Sequence, residues 1–114
     1  MKIVGIETYL VQHGERNMPL VRVLTDEGLH GIGEAFTVGP DLATVKAIHY
    51  YAEWLEGRDP LDIEGLWQLM YNGSRMPGGS LINAAISGIE HALWDIKGKA
   101  YGAPVYQLIG GKCR

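Results

Sequence analysis

Cysteine is nearly missing from this sequence. Cys113 stands alone, so no disulfide can form within the chain, and a reducing setting such as the cytoplasm is expected. Long hydrophobic runs are missing too. No stretch approaches the ~20 apolar residues that cross a bilayer, which argues against a membrane partner. The opening MKIVGIETYLV is apolar, but Gly5, Glu7 and Thr8 break it and no small-residue cleavage site follows, so it reads as a strand and not as a signal peptide. There is no large excess of one charge. Ten Lys and Arg face 13 Asp and Glu for a net charge of −3, and the basic residues are scattered, so no nucleic-acid partner is expected. Metal-ligand spacing is absent as well. His13, His30, His49 and His91 have no His-x₃-His partner, which excludes an ordinary zinc site and leaves His49 and His91 as surface or edge residues on helices. Gly31-Ile32-Gly33 lacks the third glycine of a dinucleotide fingerprint, and no Gly-x-Ser-x-Gly elbow occurs.

What remains is an ordinary globular composition, 46% hydrophobic and 20% charged, over 114 residues, which is one domain with a modest core. Residues 2–12 are rich in Ile, Val, Thr and Tyr and predict a first strand; the polar 13–17 (HGERN) predict a loop. Residues 20–25 predict a second strand, 25–28 (TDEG) a tight turn, and 29–36 a third strand weakened by Gly31 and Gly33. From Pro40 the period changes to 3.6. Asp41 is the expected N-cap of a helix with a Val45, Ile48, Ala52 and Leu55 stripe, stopped by Gly57. A second helix is expected from Asp59 as N-cap and Pro60 at N1, with Ile63, Leu66, Trp67 and Met70 on one face, to Asn72-Gly73. Residues 74–79 (SRMPGG) predict a glycine-rich loop, with Ser80 capping a third helix. Three strands followed by helices is an α+β layout: an antiparallel meander, then a helical bundle. Trp54, Trp67 and Trp94 are expected to serve packing.

The third helix organises the rest. Ile82, Ala85, Ile86, Ile89, Leu93, Ile96 and Ala100 share one face, and Gly88 lies on or beside it, where a missing side chain lets another backbone approach. Gly102 is placed as the stop, and Pro104 restarts a short apolar turn of Val105, Leu108 and Ile109 before Gly110-Gly111. The pattern Ala85-x-Ser87-Gly88-Ile89-Glu90-x-Ala92-Leu93-x-Asp95-Ile96-x-Gly98-Lys99, with Pro104-Val105 and Leu108-Ile109-Gly110 behind it, resembles the signature of the mandelate racemase and muconate lactonizing enzyme branch of the enolase superfamily. Met70-Tyr71, the Gly78-Gly79 pair and the Ala92-Leu93-Trp94-Asp95 run are similar to its acid-sugar dehydratases.

That resemblance implies that residues 1–114 are an enolase-like N-terminal capping domain. A TIM barrel of roughly 250 residues would be expected to follow, and it is absent from this chain. It further implies a carbon–oxygen lyase as the complete protein. The lyase would be Mg²⁺-dependent, with the Mg²⁺ bound by the barrel, and would abstract the proton α to a carboxylate and stabilise an enediolate. A racemase, epimerase or cycloisomerase is the alternative within the superfamily. A non-catalytic fragment or interaction module is the alternative outside it. No catalytic residue or metal ligand is assignable here. The implied partners are a small-molecule carboxylate substrate at the interface with the barrel, and a second copy of the chain in a homo-oligomer.

By the same resemblance, residues 13–18 and 36–40 fold over the barrel mouth as a lid. The substrate-binding candidates are His13, Glu15, Arg16, Asn17, Phe36 and Thr37, with Arg75 of the glycine-rich loop beside them. Arg16 leads because a guanidinium grips an anion with two parallel hydrogen bonds. Glu34 and Asp95 are the carboxylates expected inside: Glu34 in a hydrogen bond to nearby backbone, preferred over a catalytic role, and Asp95 in a structural hydrogen bond or ion pair.

Overall fold

A computed structural model of the chain describes residues 1–36 and 39–114. Its strands are β1 (Ile3–His13), β2 (Arg16–Thr25) and β3 (His30–Glu34), followed by α1 (Asp41–Leu55), α2 (Ile63–Gly73), α3 (Ser80–Tyr101) and α4 (Val105–Leu108). The strands form one antiparallel sheet in the order β1-β2-β3. This is the expected α+β meander with its helices.

All three helices α1, α2 and α3 contribute to one core, and α1 and α3 meet the same face of the sheet. Strand alternation sets that face. Val21, Val23, Gly31, Gly33 and Ala35 point toward the helices and are buried. Against them α3 presents Ala85, Ile86, Ile89, Ala92, Leu93 and Ile96, each fully or almost fully buried. A buried Ile or Leu side chain contributes ~1.5–3 kcal/mol, so this one stripe supplies a large part of the domain's stability. α3 lies unusually close to β3. A Cβ on Gly31 would overlap the Ala92 carbonyl oxygen and sit 2.8 Å from its carbon; one on Gly33 would overlap the Gly88 oxygen and sit 2.9 Å from the Ala92 nitrogen. From the other side, a Cβ on Gly88 would meet the Ala35 Cβ at 2.9 Å. The glycines that weaken β3 as a strand are what admit the helix backbone.

The outer edge of β3 is closed by α3 itself. Asp95 Oδ2 accepts from the Ile32 N–H at 2.9 Å, and Lys99 Nζ donates to the His30 carbonyl at 2.7 Å and to Asp95 at 2.7 Å. Asp95, expected inside with a hydrogen bond or an ion pair, makes both, at a half-buried site. On the other side of the sheet the loop after α1 covers the start of β1, with the Gly57 N–H donating to Ile3 O and the Ile3 N–H to Arg58 O. Thr8 Oγ1 and His49 Nε2 lie 2.8 Å apart and join β1 to α1.

Several local expectations are corrected. Residues 13–17 are not a loop: β1 runs to His13 and β2 starts at Arg16, with Gly14 and Glu15 as the turn and His13 opposite Arg16. A ribbon exposed on both faces has no reason to alternate apolar and polar residues, so its polar end resembled a loop. The helices start at other N-cap residues than expected, and none of these makes a side-chain cap hydrogen bond among the described residues. The N-cap positions are Pro40, Asp62 and Gly79 instead of Asp41, Asp59 and Ser80. Asp59 Oδ1 instead accepts from the Leu61 N–H in the turn before α2. On α1 the buried stripe is Thr44, Ile48, Tyr51 and Leu55. Tyr51 is accommodated because its hydroxyl meets Ser74 Oγ at 2.6 Å. Ala100 is exposed, since the last turn of α3 runs past the sheet. The C-terminal stop is as expected: Gly102 caps α3 with φ 64°, a left-handed conformation that costs glycine little. Trp54, Trp67 and Trp94 are half-buried against the core.

Candidate functional site

β3 pairs with β2 only from Leu20 to Leu24, so the far end of the β1–β2 hairpin extends past the sheet as a two-stranded ribbon. Alternation assigns its side chains. His13, Arg16 and Met18 share the face of Glu34, away from the helices, and Asn17 and Pro19 share the face of Val21. The two sets address different parts of the chain.

On the outer face the Arg16 guanidinium carbon stands 4.7 Å from the centroid of the Phe36 ring, a cation–π contact between the ribbon and the residue just after β3. Among the described residues Arg16 makes no ion pair, so the ring is what holds its charge in place. On the opposite face Asn17 Nδ2 donates to Asp41 Oδ2 at 3.1 Å, in the first turn of α1. Between these contacts lies a groove of about 230 Å³ lined by His13, Arg16, Asn17, Met18, Pro19, Glu34 and Phe36.

Four of the seven candidate residues therefore come together: His13, Arg16, Asn17 and Phe36. Glu15 is exposed in the hairpin turn and does not line the groove; Arg75 is exposed in the loop between α2 and α3 and does not line it either. Thr37 lies outside the described residues. Pro19 and Glu34 were missed as groove residues. Glu34 was expected inside, but it is exposed, because its partner Leu20 places it on the face turned from the helices. Only the strand register carries that information, and the sequence around Glu34 does not display it.

The groove offers a guanidinium, an imidazole, a carboxamide and a carboxylate around an apolar floor of Met18, Pro19 and Phe36. Such a set can bind and orient a hydroxylated or anionic group. Among the described residues no group of three or more His, Cys, Asp and Glu side chains could hold a metal ion. A second groove of about 420 Å³ lies between α3 and α4, lined by Glu90, His91, Trp94, Val105 and Ile109. No helix among the described residues is long and apolar enough to cross a membrane.

Comparison with known proteins adds three findings. Residues 5–110 match the family model described as the N-terminal domain of mandelate racemase / muconate lactonizing enzyme. The chain is 46% identical over all 114 residues to a D-galactonate dehydratase of Variovorax paradoxus and 44% identical to one of Xanthomonas campestris, and it spans 29% of the length of each. Among solved structures, an enolase from Agrobacterium radiobacter with bound Na and L-malate superposes with a TM-score of 0.95 at 39% identity, covering 100% of this chain and 29% of that one. An enolase from Pantoea ananatis with bound D-gluconate and Mg superposes at 0.93 with 43% identity, covering 99% of this chain and 28% of the other.

Proposed function

The chain belongs to the mandelate racemase / muconate lactonizing enzyme family, of which it is the N-terminal domain, and from that premise we propose that it caps the active site of an Mg²⁺-dependent acid-sugar dehydratase. The observation that carries this reading is the 46% identity to a D-galactonate dehydratase over every residue of the chain. Two further facts support it: a neighbour of the same fold binds D-gluconate with Mg, and the ribbon groove has the polar lining that a hydroxylated acid needs.

The proposed reaction is a β-elimination of water. A base removes the proton α to the substrate carboxylate, the electron pair forms an enediolate, and the β C–O bond breaks as an acid protonates the departing hydroxyl, which leaves as water. The resulting enol becomes a 2-keto-3-deoxy acid. When bound, Mg²⁺ would stabilise the negative charge that builds on the carboxylate. The described residues here do not fit that ion, so its ligands and the base are assigned to the barrel domain of the complete enzyme. This chain's own part is selection at the other end of the substrate. Arg16, held over the Phe36 ring, is set to address a distal carboxylate or hydroxyl, with His13 and Asn17 beside it. Residues in such a cap act on binding more than on chemistry, because they touch atoms that do not react. The same reading makes the enzyme cytoplasmic and homo-oligomeric, in line with the unpaired Cys113 and the exposed apolar residues Leu42, Met76 and Ile109.

The test is to read the complete coding sequence past Arg114 and to screen the full-length protein with Mg²⁺ against aldonic and aldaric acids for 2-keto acid release. The expected result is a barrel domain and turnover of at least one such acid. Deuterium exchange at the α-carbon without loss of water would replace dehydration by racemisation. A stop codon after Arg114 would leave a non-catalytic module.

A further inference from the structure

We infer that Asp41 is a positioning residue for this site: through Asn17 it latches the hairpin ribbon to α1 and so fixes where Arg16 stands over Phe36. The inference rests on the capping role proposed above, and it assigns a function to a residue that does not line the groove.

The end of the ribbon has little support from the sheet. Past Leu20 it receives one more backbone hydrogen bond, from the Ala35 N–H to Pro19 O at 2.9 Å, and no third strand beyond that among the described residues; a two-stranded hairpin on its own is marginally stable in water. Its tip residues are exposed, and Tyr9, Leu10 and Val11 have no layer over them among the described residues. Such a ribbon keeps one position only if something ties its end down. Among the described residues two side-chain contacts do so at its end, one on each face. Asn17 Nδ2 donates to Asp41 Oδ2 at 3.1 Å, a hydrogen bond to an ionised acceptor and therefore stronger than a neutral one. Arg16, the next residue, stacks at 4.7 Å on Phe36. Adjacent strand residues point to opposite faces, so fixing Asn17 against the helix turns Arg16 toward the groove. α1 is itself anchored to the core through Ile48, Tyr51 and Leu55, which makes its first turn a firm point of attachment. Asp41 therefore acts on substrate through Asn17 and Arg16 and touches nothing that reacts.

The experiment uses the full-length enzyme with two readouts. Amide hydrogen exchange follows residues 9–18, and steady-state kinetics follow the best acid-sugar substrate. Asp41→Ala is expected to speed exchange in the ribbon about five- to ten-fold while the middle of α1 is unchanged, and to raise KM by a similar factor with kcat within about two-fold, the size of one lost hydrogen bond. Asp41→Asn keeps an acceptor oxygen but loses the charge, so it should fall between wild type and Asp41→Ala. Asn17→Asp alone sets two carboxylates against each other and should free the ribbon. Asn17→Asp combined with Asp41→Asn exchanges donor and acceptor and should restore protection. Unchanged exchange in Asp41→Ala, or no recovery in the exchanged pair, overturns the latch. A fall in kcat at constant KM would also overturn it, by showing a role other than positioning. Full-length protein without acid-sugar turnover would refute the function proposed above, while the exchange readout would still decide the latch.

Discussion

At the scale of single residues, the molecule depends most on atoms it lacks. Gly31 and Gly33 face the carbonyls of Ala92 and Gly88 so closely that an added methyl group overlaps an oxygen. Neither backbone can retreat, because β3 is paired to β2 and α3 is buried along its length. Gly31→Ala and Gly33→Ala should each cost ~3 kcal/mol or more, at or above the upper end of ordinary overpacking, read as a lower urea midpoint. Gly5, with open space around it, should accept alanine with little change and serves as the control. Tyr51→Phe tests the opposite case. It keeps the ring and removes one hydroxyl from Ser74 Oγ, for an expected loss of ~1 kcal/mol. If Gly33→Ala melted like wild type, the close approach of helix and strand would be wrong. These residues also show how far a sequence can be read. The role of Gly88 was legible because it lies beside a regular apolar face. Tyr51 was not legible, because its burial depends on a serine in another element, 23 residues away.

At the scale of elements, α3 both covers the sheet and closes its edge. An edge strand presents unpaired N–H and C=O groups that invite pairing with another chain. Asp95 and Lys99, one turn apart on α3, occupy the Ile32 N–H and the His30 carbonyl. Asp95→Ala should therefore do two things. It should lower stability by ~1–2 kcal/mol, the cost of a charge-assisted bond at a half-exposed site, and it should raise light scattering on warming as β3 becomes free to pair. Asp95→Asn keeps an acceptor for the Ile32 N–H and loses the ion pair, so it should fall between the two. Equal stability of all three proteins in a urea melt would show that the edge needs no cover. The elements were the most legible level of the fold. α3 follows a 3.6-residue period over a buried face: Ala85, Ile86, Gly88, Ile89, Leu93 and Ile96 are buried as expected, Ile82 is only partly buried, Ala100 is exposed, and Ala92 and Gly98 are buried without having been expected. The hairpin end was the least legible. His13, Arg16 and Asn17 are exposed at the end of the ribbon, so no pattern of burial distinguishes strand from loop there.

At the scale of the whole molecule, the proposed capping role makes the groove one wall of a larger site. Its lining offers charged and polar groups, no cluster among the described residues could hold a metal, and the chain spans 29% of the length of the dehydratases it resembles. Its members were partly foreseen: four of seven candidates meet there, because residues that flank a hairpin turn and the end of the neighbouring strand are brought together by any meander. Glu34 and Pro19 needed the register. Arg16 gives the sharpest test of the division of labour. Its guanidinium makes no ion pair among the described residues and rests on an aromatic face, so a substrate anion has no internal partner to displace. In the full-length enzyme Arg16→Ala should raise KM about 10- to 100-fold for an acid with a charged or hydroxylated far end, the range of a lost hydrogen bond to a charged group. The change in kcat should be small, since the proton removed lies at the other end of the substrate. Arg16→Lys keeps the charge and loses the planar fork, so it should recover only part of the affinity. A truncated acid that keeps the carboxylate, the α-proton and the β-hydroxyl but has no distal group should bind the variant and the wild type alike. Steady-state kinetics on the two substrates separate the possibilities. A loss confined to the longer acid places Arg16 at the far end of the site. An equal loss on both would mean that the ribbon acts on the shape of the whole cap, and that the groove is not where the substrate's far end lies.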